Sequence, residues 1–341
     1  MRLAMSAQPW SVAMPLARWL ALILLVSSSL IAVEDPLALL PAIPRPQATA
    51  AADLGAMDEI APGIAIIPGK AVVLNGKTRF DQGPADGLEV IACLDGGKLH
   101  ESFMVLDTRN AAMINFACLS VLAVKEGQPV PRETGAIPAR GVPLRVVVQW
   151  PSGDAWSEVD ASCLVRDRST DRPYPPLPYI YTGSRLMAIQ ETDNDGKLVK
   201  VERFMLENTK SLVVNFDEPD ALLASPLPNA DDDHRWEVYS GLPAPAPHTP
   251  ARLVLSRATL PLNLRADALG ALARDGAVLD DAALAAALGE VFGEGRQPAL
   301  RAVGIVVPPD SPRENDVGIR TRVLAAAVAA KAWVVPVFVL E

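Results

Sequence analysis

The chain has 341 residues, of which 50% are hydrophobic and 21% charged, enough apolar material for two ordinary cores and too much for a disordered main body. Its formal charge of −9 gives no broad basic field, which excludes nucleic acid as a partner. The three cysteines, Cys93, Cys118 and Cys163, have no CxxC spacing and cannot build a disulfide scaffold. They read either as buried thiols acting as small apolar residues or as one bridge, Cys93–Cys163 or Cys93–Cys118, with a thiol left over.

Arg2 and Arg18 precede an uncharged run from Trp19 to Val33, and Glu34 and Asp35 follow it. Positive charge before an apolar segment and acidic charge after it place the N-terminus in the cytoplasm and everything downstream outside. Residues 1–33 are therefore expected to be a signal peptide, cleaved near Ser27, Ser28 and Ser29, or an N-terminal membrane anchor over residues 16–33. Either way the protein is expected to be periplasmic or secreted, touching a membrane only through that segment if it stays uncleaved. Residues 34–58, with Pro36, Pro41, Pro44 and Pro46 among alanines, read as an extended linker.

Residues 59–257 are strand-like. Short β-rich runs such as Ala71–Leu74, Leu88–Cys93, Leu144–Trp150, Lys197–Phe204 and Leu212–Phe216 are bounded by Gly, Pro and Asx. Asn75-Gly76 and Asp195-Gly196 fit two-residue hairpin turns. One helix is expected over Ala111–Val124, packed through Met113, Phe116, Ala117 and Ser120. The region is thus read as mainly antiparallel β with one packed helix.

His100-Glu101 is the one adjacent His/acid pair, a few residues after Cys93. Imidazole titrates near neutrality and binds zinc, so His100 and Glu101 are candidate catalytic residues, and Cys93, His100 and Glu101 candidate metal ligands. Against this, position 104 is Met rather than a second His, and in a strand His100 and Glu101 point to opposite faces. No cofactor is predicted: neither a P-loop nor GxGxxG occurs. Asp193-Asn-Asp195-Gly196 reads as a turn rather than a calcium loop, and Asp231–His234 as a solvated acidic loop. Trp150, Trp156, Tyr174, Tyr179, Tyr181 and Trp236 gather near prolines; with Arg185, and leaving out Tyr174, they form a candidate binding surface if exposed.

Gly96-Gly-Lys-Leu-His-Glu101 with the following Ser-Phe-Met-Val-Leu, Tyr181-Thr-Gly-Ser-Arg185 and Leu212-Val-Val-Asn-Phe-Asp-Glu-Pro-Asp-Ala-Leu-Leu223 together resemble the YdjY-type secreted domain family over about 60–257. The resemblance implies an exported module of no assigned activity. From about 258 the text turns alanine-rich: Leu260–Arg265 and Ala268–Ala273 as strands, an Asp275-Gly276 turn, a helix Ala282–Phe292 capped by Asp280 or Asp281, then strand Ala302–Val307, helix Val317–Ala332 and strand Val334–Leu340. That order is similar to the periplasmic domain of ExbD/TolR-type proteins, which implies a homodimer through the C-terminal domain or contact with peptidoglycan. Such proteins carry an acid-bearing membrane helix close before this domain; here the apolar run is far upstream and lacks an acid.

The expected fold class is α+β: a β-rich, mainly antiparallel domain at 59–257 followed by a small β-β-α-β-α-β two-layer α/β domain at 258–341. The leading functional expectation is a non-catalytic cell-envelope protein whose modules mediate self-association or binding to envelope proteins or peptidoglycan. The rivals are a metal-dependent hydrolase using His100 and Glu101, and an accessory component of an ExbD/TolR-like proton-motive transport complex.

Overall fold

The computed structural model describes residues 35, 37–80, 87–131, 137–192, 195–228, 230, 234–242 and 245–340. The expected export segment, residues 1–33, lies outside them, and no described helix is long and apolar enough to cross a membrane. The chain divides into a unit ending at Leu39 and a compact unit from Leu40 onward, which holds every described strand and helix.

Eight strands build a barrel: β1 (Ala71–Thr78), β2 (Val90–Cys93), β3 (Ser102–Leu106), β4 (Val142–Ser152), β5 (Tyr179–Tyr181), β6 (Ser211–Val214), β7 (Leu223–Ala224) and β8 (Pro250–Arg257). They are hydrogen-bonded in the order β4-β5-β7-β6-β2-β3-β1-β8, and β8 pairs again with β4 to complete the ring. The pairs β2·β3 and β6·β7 are parallel; the others are antiparallel. Register puts Val73, Val254 and Val147 in one row, which packs with Ala65 and Ala71 beneath Leu54. The alternate row, Val72, Leu74, Leu253, Leu255, Val146 and Val148, has no exposed surface at all. These strands bury both faces, so they read as unbroken apolar runs, and each such side chain contributes about 1.5–3 kcal/mol of transfer free energy.

Asn75-Gly76, expected to be a hairpin turn, lies inside the straight strand β1. Its glycine serves a close approach instead: a Cβ there would sit 2.3 Å from the Val105 carbonyl oxygen of β3. The proline-rich stretch is not a free tether either. Thr49 and Ala50 pair with Glu158 and Ser157 of the strand Ala155–Asp160, and the Ala51 amide donates to the Trp156 carbonyl at 2.8 Å.

Helix α1 runs Ala111–Val121, its N-terminus capped by the Asn110 side chain accepting from the Met113 amide. It buries Ala111, Ile114, Ala117 and Cys118, so the expected packing face is rotated and Phe116 stands in solvent. Strands Leu186–Thr192 and Leu198–Phe204 form a separate two-stranded ribbon with Asp195 and Gly196 in its turn, leading into the short helix α2 (Met205–Thr209). Asp193 and Asn194 lie outside the described residues.

After β8 come β9 (Leu262–Ala266), β10 (Leu272–Arg274) and β11 (Ala277–Val278), helix α3 (Asp281–Phe292), β12 (Ala302–Val307), helix α4 (Glu314–Ala329) and β13 (Val335–Leu340). Their sheet has the order β11-β10-β9-β12-β13. Asp280 caps α3 through the Ala283 amide at 2.8 Å.

The α+β expectation, a β-rich, mainly antiparallel domain with one packed helix followed by a small two-layer α/β domain, is corrected by this arrangement. The protein is mostly β, with few helices, organised around a closed eight-stranded barrel. Closure depends on β8 pairing along both edges, with β1 and with β4. Strand pattern reports which residues are apolar but not which distant edges meet. The junction expected at 257/258 falls at the end of β8, and the residues on its two sides are locked together. Arg140, wholly buried just before β4, donates from Nε and Nη2 to both oxygens of Asp316 on α4 at 2.6 and 2.8 Å. Its remaining donors reach the Ser311 and Pro312 carbonyls, and the Gly141 amide donates to the Phe338 carbonyl at 3.0 Å, covering the outer edge of β13.

Candidate functional site

The turn Leu94–Glu101 carries the chain from β2 to its parallel neighbour β3. Gly96 takes a left-handed φ of +77°, and a Cβ there would meet Lys210 Nζ at 2.9 Å. The turn brings Lys98 into the centre of three carboxylates. Its Nζ lies 2.8 Å from Glu89 Oε2, 3.6 Å from Glu101 Oε2 and 3.7 Å from Glu218 Oε2. His100, 74% exposed, closes the rim with Nε2 3.0 Å from Glu101 Oε1.

One ammonium cannot neutralise three carboxylates, and the three acids are largely out of water. Burial is the chief cause that pushes the Glu89 carboxyl above its ordinary range; the Lys98 hydrogen bond opposes this, and the neighbouring Glu101 adds to it. Glu218 is raised for the same first reason, offset in part by Ser211 and Lys98. For Lys98 burial works against the charge, but the hydrogen bond to Glu89 and the three surrounding carboxylates outweigh it and raise its pKa. Glu101 Oε2 is buried without a hydrogen-bond partner.

The loop after β6 supplies the other wall. Asn215 accepts from the Tyr179 hydroxyl at 3.0 Å and donates to the Leu88 carbonyl at 3.1 Å, tying the loop to the entrance of β2. Asp220 receives Arg185 Nε, and its carbonyl accepts from Ser184 Oγ at 2.6 Å. Thr182 Oγ1 donates to the Ala221 carbonyl at 3.1 Å. Three motifs distant in sequence, 97–101, 181–185 and 215–220, are thereby joined through the ion pair of Lys98 with Glu218 and the bonds of Ser184 and Arg185 to Asp220.

Arg185 also lines a groove of about 500 Å³ between α1 and the ribbon. Ala112, Phe116 and Leu119 form one wall and Leu186 and Phe204 the other. Phe116 is 61% and Leu186 68% exposed. A cleft of this size with apolar walls and a few polar groups in its lining is the usual form of a binding site. A smaller cavity of about 320 Å³ beside Arg145 and Arg301 has its main charge matched within the chain, since Arg145 pairs bidentately with Asp160 at 2.7 and 3.0 Å.

The structure sorts the expected site residues. His100 and Glu101 do meet, because they sit at the end of a turn rather than on opposite faces of a strand. Cys93 is fully buried with its thiol pushed up by burial, and all three cysteines are free, which removes either disulfide. Among the described residues no three His, Cys, Asp or Glu side chains are arranged to hold a metal ion, and the cation among these carboxylates is Lys98 itself. The aromatic binding surface is overturned by burial: Trp150, Tyr179, Tyr181 and Trp236 are core residues, and Tyr174 stacks edge-on against Trp236. Trp156 is half-buried, with the Arg252 guanidinium 3.6 Å over its ring. Arg185 reaches the groove, held by Asp220. Asp231–Asp233 lie outside the described residues.

Glu89, Lys98 and Glu218 are not among the residues the sequence marks as candidates, and Phe116 is expected there in a packed helix face rather than in a groove. Lys98 and Glu218 lie within the quoted motifs; Glu89 has no local signal. No family model, no curated protein and no solved structure matches the chain. The YdjY-type and ExbD/TolR-type resemblances therefore rest on their motifs alone.

Proposed function

We propose that the chain is a non-catalytic, exported cell-envelope protein whose barrel is a rigid support for one association face, the groove beside α1 and the ribbon that borders it. The observation that carries this reading is the exposure of Phe116 and Leu186 on facing walls of the groove. Large apolar side chains standing in water on a concave surface are costly unless a partner covers them. Arg185 in the lining supplies a polar anchor, as recognition clefts require.

The test is photocrosslinking in intact cells with a photoreactive residue replacing Phe116, against the same residue replacing Leu269, which is 90% exposed elsewhere. Discrete protein adducts from position 116 and none from 269 are expected. No adduct at 116, or the same adducts at both positions, contradicts the reading.

A second reading is favoured by the gathering of Glu89, Glu101 and Glu218 around Lys98 with His100 beside Glu101: acid–base chemistry at this cluster, as a hydrolase would use. Metal analysis and hydrolase screening of the purified chain, with Glu101→Gln and His100→Ala compared, test it. No metal and no activity that Glu101→Gln abolishes would end it.

A further inference from the structure

The ribbon stands apart from the other sheets. Its two strands pair only with each other, and among the described residues no strand pairs with either outer edge. Along Leu186–Thr192 and Leu198–Phe204 no residue is buried. A lone two-stranded ribbon is marginal in water, and a free strand edge presents unpaired amides and carbonyls to any strand that can match it.

The sequence Leu198-Val-Lys-Val-Glu-Arg-Phe204 matches itself when reversed. In an antiparallel pair of two copies centred on Val201, Lys200 of each copy stands opposite Glu202 of the other. Leu198 stands opposite Phe204, Val199 opposite Arg203, and Val201 opposite Val201. Within one chain these charges have no such match, because Lys200 faces Gln190 and Glu202 faces Ala188 across the hairpin. Leu198, Lys200 and Glu202 are all exposed on one face, where two opposite-charge pairs would form flanked by two apolar ones. The other edge offers nothing comparable. Centred on Ile189, Leu186–Thr192 would set Ala188 against Gln190 and Met187 against Glu191.

We propose that the chain self-associates through the outer edge of Leu198–Phe204, a second copy pairing antiparallel about Val201 to make a four-stranded sheet from two ribbons. Such a contact is isologous and closes at two copies. The proposal rests on the reading of this face as an association surface and names its partner as the chain itself. It replaces the dimer expected through the C-terminal domain, where Gly141 already occupies the edge of β13.

Charge reversal separates the outcomes. Sedimentation of the full chain over a concentration series is expected to show a monomer–dimer equilibrium. Lys200→Glu alone and Glu202→Lys alone each set like charges opposite one another twice, and each is expected to weaken dimerisation by about tenfold or more. Mixing the two variants restores complementary pairs in a mixed dimer, so association is expected to return in the mixture. Val201→Cys, at the symmetry axis, is expected to give a covalent dimer under mild oxidation, since the native cysteines are buried. A chain that stays monomeric at all concentrations with no Val201→Cys dimer overturns the proposal. So does dimerisation indifferent to both reversals. Adducts from position 116 to a different protein, with the purified chain monomeric, overturn self-pairing while leaving the association face standing.

Discussion

The outer edge of β13 and the outer edge of Leu198–Phe204 are the same kind of object, the margin of a small sheet, and the fold treats them oppositely. Beside β13 the Gly141 amide bonds the Phe338 carbonyl, and the adjacent Arg140 spends its donors on Asp316, Ser311 and Pro312. Along the ribbon no described strand answers the backbone, and Lys200 and Glu202 face uncharged residues. A surface whose polar groups are satisfied internally is structural, whereas one left unmatched is where a partner gains most.

The largest test breaks the closed side. Arg140→Met leaves Asp316 buried without its partner and is expected to cost about 3–5 kcal/mol in urea unfolding. Adding Asp316→Leu should recover most of that loss, since a well-packed apolar pair replaces the ions. If Arg140→Met were neutral, the joint between barrel and C-terminal sheet would not be tight. Next, Gly76→Ala forces a methyl toward the Val105 carbonyl and is expected to destabilise by about 1–3 kcal/mol, with barrel closure at β1·β3 as the part that yields.

A smaller effect distinguishes the frustrated cluster. Burial holds Glu89 and Glu218 above their ordinary values, so the folded chain binds protons that the unfolded chain has already released. The stability these groups contribute is present below the ordinary carboxylate pKa and declines as pH rises through the raised value. Thermal midpoints should therefore fall over that window, and Glu218→Gln should flatten the slope. A midpoint that climbs with pH there, unchanged by Glu218→Gln, would mean that Lys98 dominates. Smallest in stability is Phe116→Asp, expected within about 0.5 kcal/mol of the parent because the ring is exposed, yet expected to remove the partners captured by a photoreactive residue placed at Leu186.

What the sequence made legible was local. The Asp280 cap, the α1 start and the Asp195-Gly196 ribbon turn each depend on a few adjacent residues. Asn75-Gly76 misled for the same reason: its glycine answers Val105 of another strand, not a turn. Barrel closure required knowing that β8 has two partners, and the Lys98 site required Glu89 and Glu218 from two further segments. Half the site was in view, since His100, Glu101, Arg185 and the 212–223 run were already marked. Trp150, Tyr181 and Trp236 read as a candidate binding surface because aromatic content carries no sign of which way a strand faces.

The most direct measurement is amide hydrogen exchange of the full chain at low and high protein concentration. Protection of Leu198–Phe204 is expected to rise with concentration while that of Ala71–Thr78 and Val335–Leu340 stays constant. Protection in the ribbon that does not change with concentration, or a rise confined to Val335–Leu340, would contradict self-pairing at the ribbon.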